Sequence, residues 1–196
     1  MNTWKIDPNH SEIKFKVRHL VVSTVTGHFG KFEGTIQTEN DNFENAIITF
    51  EADIDSINTN NEMRDGHLKS ADFFDAASHP KLKFLSKSFK RISDNEYELA
   101  GDITMRGITK GIKLKTIYNG TVKGMDGSDV AGFELTGKLS RMEFGLTWNA
   151  LTEAGGVAVS DEIKLDINIE ATKAKSDAET ETKAEAKTET KAAAAK

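Results

Sequence analysis

Through most of the first 171 residues, apolar side chains return at every second position, the period of a strand with one dry face and one wet face. Ile13, Phe15 and Val17 alternate with Glu12, Lys14, Lys16 and Arg18. Ile48, Phe50, Ala52 and Ile54 alternate with Ile47, Thr49, Glu51, Asp53 and Asp55. The same rhythm runs through Leu82 and Phe84, Tyr97 to Met105, Ile112 to Tyr118, Phe133 to Leu139 and Ile163 to Ile169. Together with Gly30–Thr38, these segments predict about eight strands.

Asp94-Asn95, Asn119-Gly120 and Asp126-Gly127 fall between the alternating runs, where Asn or Gly supplies the positive φ that tight hairpin turns need. Antiparallel neighbours follow. One segment departs from the pattern: Thr59-Asn60-Asn61-Glu62 reads as a capping box, and Met63 to Lys69 follows as a short helix. Ser70 is placed to cap a further turn through Asp72, Phe73 and Phe74. Amphipathic strands without covering helices bury their apolar faces in a sandwich or in a barrel closed on itself, and closure removes exposed edges. A barrel of about eight strands is just wide enough to be filled by side chains or to hold one small ligand. Periodicity does not separate these two interiors.

Composition narrows the class. Of 196 residues, 37% are apolar and 29% charged, which is ordinary for a globular chain, and no apolar run approaches a bilayer span. No cysteine is present, so disulfides, thiolate metal sites and cysteine nucleophiles are excluded. The net charge is −5, and the acidic excess lies in residues 1–171, without a basic stripe, so nucleic acid is not an expected partner. Residues 172–196 use only Lys, Glu, Asp, Ala, Thr and Ser, a low-complexity composition that predicts a disordered tail after a domain spanning 1–171. The alternating body begins almost at Met1, with no basic start and apolar stretch ahead of it. That predicts a cytoplasmic protein; a natural start other than Met1 would make it periplasmic.

Trp4-Lys5-Ile6-Asp7-Pro8-Asn9-His10-Ser11, followed by Phe15-Lys16-Val17-Arg18-His19-Leu20, resembles the opening of the bacterial YceI-like family. Asp55 to Asn60, Arg64 to Phe74 and His79-Pro80 through Phe84 are similar to its central signature. Gly101 to Lys110 resembles its later strand-turn-strand motif, and the likeness ends near Arg141-Met142-Glu143-Phe144-Gly145 and the last strand. The resemblance implies an all-β, lipocalin-like closed antiparallel barrel with one short helical insertion. It also implies an elongated apolar interior that accommodates a polyisoprenoid or a quinone tail, a non-catalytic binding and transport role, and no further cofactor.

The residues alone first suggest core packing for the inward apolar positions. The resemblance makes Phe15, Val17, Phe50, Ile54, Phe84, Leu99, Ile103, Phe133, Leu135, Leu139 and Phe144 the apolar wall around the ligand. His19 shares the parity of Ile13, Phe15 and Val17 and so faces inward, either toward a ligand headgroup or toward a neighbouring polar group. His10, Arg64 and His67 complete a candidate polar rim, with tying the helix to the wall as the plainer role for Arg64. The five histidines, His10, His19, His28, His67 and His79, have no helical metal-ligand spacing, and no metal site is expected. No G-x-S-x-G elbow or phosphate-binding loop occurs, and adjacent His10 and Ser11 would point to opposite faces of a strand. A histidine- or metal-dependent enzyme at the barrel mouth and a ligand-free structural or stress-related barrel stand as alternatives. Monomer and homodimer are both open, and Trp4 and Trp148 read as packing anchors.

Overall fold

The computed structural model describes residues 1–39, 42–150 and 158–174, in which the alternating segments become eleven strands and one α-helix. β1 (Asn2–Ile6), β2 (Glu12–His19), β3 (Ser23–Phe29), β4 (Phe32–Thr38), β5 (Ile47–Asp53) and β6 (Ile57–Asn58) precede α1 (Glu62–Lys69). β7 (Lys81–Arg91), β8 (Glu96–Met105), β9 (Ile108–Lys123), β10 (Asp129–Ser140) and β11 (Val159–Lys173) follow it. Every pairing is antiparallel, and the order β1-β4-β5-β7-β8-β9-β10-β11 closes through β1 against β11 into a ring of eight strands.

The remaining three strands are not extra staves. β2, β3 and β6 share the staves of β1, β4 and β5 across breaks at residues 7–11, 30–31 and 54–56. On one side of the first break β1 pairs with β4 and the end of β11; on the other, β2 pairs with β3 and the rest of β11. Pro8 has no N–H to give the ladder. The Asp7 N–H instead donates to the Glu170 carbonyl at 2.8 Å, while the Ser11 hydroxyl accepts the Glu170 N–H at 3.0 Å and donates to the same carbonyl at 3.3 Å. A side chain thus completes what the backbone interrupts.

Alternation sorts charge to the outside. Lys81 reaches Glu51 at 3.1 Å, Lys87 reaches Asp102 at 2.6 Å, and Lys115 reaches Glu96 at 2.7 Å across neighbouring strands. Exposed pairs of this kind each contribute little to stability, about 0–1 kcal/mol. Their effect is on register, since a slip by one residue would turn the whole charged face inward.

One end of the barrel is filled by rings. Phe43, 1% exposed, lies 5.0 Å from Trp4, 5.4 Å from Tyr118 and 5.0 Å from Phe133, centroid to centroid. Tyr97 stacks on Phe89 at 4.7 Å and donates its hydroxyl to the Asn42 carbonyl at 2.7 Å. Trp4 is therefore the packing anchor expected of it.

Four local expectations are corrected. Asn119-Gly120 lies inside β9 rather than in a turn: pairing passes from Gly120 to Tyr118 opposite Gly132 and Phe133, a bulge that Gly120 accommodates at φ 105°. Asn61, not Thr59, caps α1, because its side chain accepts the Arg64 N–H at 3.0 Å. Ser70 ends α1 instead of starting another helix: its hydroxyl donates to the His67 carbonyl at 2.7 Å, and residues 71–74 form turns. Thr172 and Lys173 belong to β11, paired with Lys5 and Trp4, so the barrel runs past 171. The tail expected beyond it lies, from residue 175, outside the described residues.

Removing the keystone of the ring cluster tests this packing. Phe43→Ala is expected to cost about 3–5 kcal/mol, read as a lowered urea midpoint with an unchanged slope. A loss below about 1 kcal/mol would mean that the rings repack without it.

Candidate functional site

Away from the aromatic plug, the inward side chains do not meet across the barrel. Phe15, Val17, Leu139, Leu165 and Ile167 are only half-buried although they point inward, because they face empty space rather than one another. Three cavities follow one another along the axis. The widest, about 480 Å³, lies at the α1 end; the next is about 110 Å³ and the last, against the plug, about 40 Å³. Consecutive cavities share walls: Phe15, Phe29, Leu82, Ile103 and Leu165 between the first two, and Ile6, Ile48, Leu99, Leu135 and Ile169 between the last two. The interior is a tapering apolar shaft, wide at one end and stopped at the other.

Two glycines shape it. A Cβ at Gly27 would lie 2.4 Å from Phe15 Cζ, and one at Gly101 would lie 2.5 Å from both the Phe84 ring and the Leu85 carbonyl. These glycines let the rings lie flat across the neighbouring strand, so the rings line the shaft rather than block it.

Most of the anticipated apolar wall is brought together. Phe15, Val17, Ile103 and Leu139 line the wide cavity; Phe50, Phe84, Leu99 and Leu135 line the middle one, and Phe133 the narrow one. Ile54 and Phe144 line none of the three. Ile54, in the 3₁₀ turn Ile54–Ser56, is buried in the packed core away from the cavities. Phe144, in the 3₁₀ turn Met142–Phe144, instead backs a polar groove between β9 and β10 with Lys110, Lys138 and Glu162.

The rim divides similarly. His19, Arg64 and His67 line the wide cavity, and His10 does not. His10 stands partway along the wall at the β1–β2 break, its Nδ1 2.8 Å from Asp7 Oδ2 and 3.5 Å from Glu170 Oε1. The hydrogen bond that His10 donates to the Asp7 carboxylate raises the His10 pKa above its ordinary value, with the Glu170 charge adding to it, and the same bond lowers that of Asp7. The ligand atoms of Asp7, His10 and Glu170 all lie within 4.8 Å of one another, a grouping that could hold a metal ion.

Around the wide cavity His67 is held by its Nε2 at 3.0 Å from Asp72 Oδ2 and by edge contacts to Phe73 at 5.0 Å and Trp148 at 4.7 Å. Arg64 Nε donates to Thr59 Oγ1 and its Nη2 to the Thr59 carbonyl, both at 2.7 Å. The Thr59 hydroxyl in turn donates a hydrogen bond to Asp65 at 2.5 Å, so the guanidinium is fixed by one edge. Arg141, 3% exposed, also lines the cavity. It donates to the carbonyls of Ser160, Trp148, Val159 and Leu146, and burial pushes its pKa down from the ordinary value. Arg141 was legible in the sequence, since it continues the inward parity of Leu135, Gly137 and Leu139. Trp148 was not, because residues 145–150 follow no period.

The comparisons with known proteins agree with this geometry. The profile of the YceI-like domain matches residues 4–171. A UPF0312 protein of Staphylococcus aureus strain USA300 is 36% identical over 171 residues, covering 87% of this chain and 97% of the relative. The Campylobacter jejuni YceI protein has a TM-score of 0.70 and 32% identity over 81% of this chain and 90% of its own. BcnA of Burkholderia cenocepacia shares the fold with a TM-score of 0.73 at 16% identity, covering 84% of this chain and 98% of its own. So does a polyisoprenoid binding domain of Saccharophagus degradans, with a TM-score of 0.62 at 12% identity over 87% and 98%.

The His10 pair makes a pH prediction. A histidine whose folded pKa is raised contributes stability that is fully present below its unfolded value and is lost as pH rises through the folded one. His10→Asn should therefore flatten the fall in urea midpoint from pH 6 toward pH 8. An unchanged pH profile in His10→Asn would show that the Asp7 contact contributes nothing to folding.

Proposed function

Because this chain belongs to the YceI-like domain family, we propose that it sequesters or carries a long apolar, isoprenoid-like lipid inside the barrel without changing it covalently. One observation carries the reading: the apolar shaft narrows from about 480 Å³ to 40 Å³ and is stopped by rings. A slender chain entering at the α1 end fits that shape. The description of the Saccharophagus relative as a polyisoprenoid binding domain points the same way. Each methylene withdrawn from water contributes roughly 0.8 kcal/mol, so affinity accumulates along the tail with few polar contacts. Selectivity would then come from chain length, which the plug limits.

Covalent chemistry has less support. The polar residues around the wide cavity are His19, Thr59, Asn61, Arg64, His67 and Arg141. Among the described residues no hydroxyl is hydrogen-bonded to the His67 imidazole, and the Thr59 hydroxyl is taken by Asp65 and Arg64. A nucleophile paired with a base is not assembled there.

Trp148 lines the wide cavity while Trp4 lies in the plug, so tryptophan emission reports on filling. Titration with geranylgeraniol should change the emission saturably, and Trp148→Phe should remove that change. Val17→Trp, which fills the wide cavity from its wall, is expected to weaken binding at least about tenfold, or roughly 1.4 kcal/mol, while the protein stays folded by circular dichroism. Equal binding by Val17→Trp would place the lipid elsewhere.

A further inference from the structure

The wide end of the shaft is electrically one-sided. Two arginines and two histidines are among its lining residues and, among the described residues, no Asp or Glu is. This occurs in a chain with 31 acids against 26 Lys and Arg, so it does not follow from composition. Acids do stand nearby, but each is committed elsewhere. Asp65 accepts from the Thr59 hydroxyl and N–H, and Asp72 pairs with His67. Asp161 accepts from the Ser140 hydroxyl and the Met142 N–H. Among the described residues, no carboxylate lies within ion-pair distance of Arg64 or Arg141.

Arg141 makes this imbalance costly. Its guanidinium is buried and, among the described residues, donates only to backbone carbonyls; Asp161 lies near enough to act on its charge but makes no hydrogen bond or ion pair with the guanidinium. A buried charge with no counter-charge in direct contact is costly, and an uncharged side chain of similar shape packs at lower cost. Holding α1 to the wall does not account for Arg64 either. That task uses its Nε and one Nη2 hydrogen against Thr59, and Nη1 has no protein partner among the described residues. The held edge fixes the guanidinium of a cavity-lining residue and leaves Nη1 free to donate, an arrangement able to bind a carboxylate or phosphate oxygen with directional, charge-assisted hydrogen bonds.

We propose that the lipid carried by this barrel has an anionic headgroup, a carboxylate in the simplest case, received at the wide end by Arg64 in the positive field of Arg141. The proposal rests on the carrier reading above and adds the chemical class of the cargo. The tail lies along the shaft toward the plug, and the headgroup stays at the α1 end, where Asn61 and His19 also line the cavity. Neutral and cationic amphiphiles with the same tail are discriminated against, because they leave the arginine charge uncompensated.

Three probes with one tail separate the claims: geranylgeranoic acid, geranylgeraniol and geranylgeranylamine, titrated below their aggregation concentrations with tryptophan emission as readout. The acid should bind at least about tenfold more tightly than the alcohol, and the amine more weakly than either. Arg64→Met should bring the ratio of acid to alcohol affinity to about one, whatever it does to the alcohol's own affinity, while Arg64→Lys, which keeps the charge, retains part of the preference. Equal binding of acid and alcohol overturns the headgroup assignment and leaves the carrier reading standing. A preference that survives Arg64→Met overturns the role of Arg64. No binding of either probe overturns the carrier reading, and this inference with it.

Discussion

β11 has to serve two strands at once on one of its edges. Its last residues pair with β1 through Trp4↔Lys173, and the stretch before them pairs with β2 through Phe15↔Leu165 and Val17↔Ile163. The ring closes only because both halves of the first stave stay on that edge across the break at Asp7–Ser11. If Ser11 and Asp7 did not hold Glu170 there, the barrel would have an open seam beside its cavity. From this closure follows the asymmetry of the interior. The β1 side brings Trp4 into the aromatic plug, and the β2 side brings Phe15, Val17 and His19 to the wide cavity.

The stability of such a molecule is unevenly distributed. The plug, the hydrogen-bonded ring and the cross-strand charges close one end, whereas the half-buried walls at the other end forgo the dispersion contacts that a packed core would make. A barrel of eight strands has room for its own side chains, and here strand glycines keep Phe15 and Phe84 against the wall. That arrangement sacrifices packing to keep the shaft open, which is the physical basis for treating the interior as a binding site and not as a loosely filled core.

Period-two alternation made the staves and most of the apolar wall legible, because inward and outward positions differ at every residue along Ile13–Val17, Leu99–Ile103 and Phe133–Leu139. It failed where the period itself breaks. The 3₁₀ turn at Ile54 and the bulge at Asn119-Gly120 both change the parity that follows them, and neither has a compositional mark separating it from a continuing strand or a turn. Phe144 was drawn in by the family segment Arg141–Gly145, although its turn carries it out of the shaft. Arg141 was the opposite case: its parity was readable, but a charged side chain at an inward position is recognised as part of a cavity only when the carbonyls that hold it are seen.

The central claim is that the shaft holds an apolar chain. Native mass spectrometry of the protein purified from the organism that encodes it, before and after organic extraction, tests this most directly. A stoichiometric excess mass that extraction removes, and that proves to be a single-chain lipid, is the result expected. A protein at its sequence mass, which also takes up no added isoprenoid, would contradict the account and leave a barrel whose cavity serves no cargo.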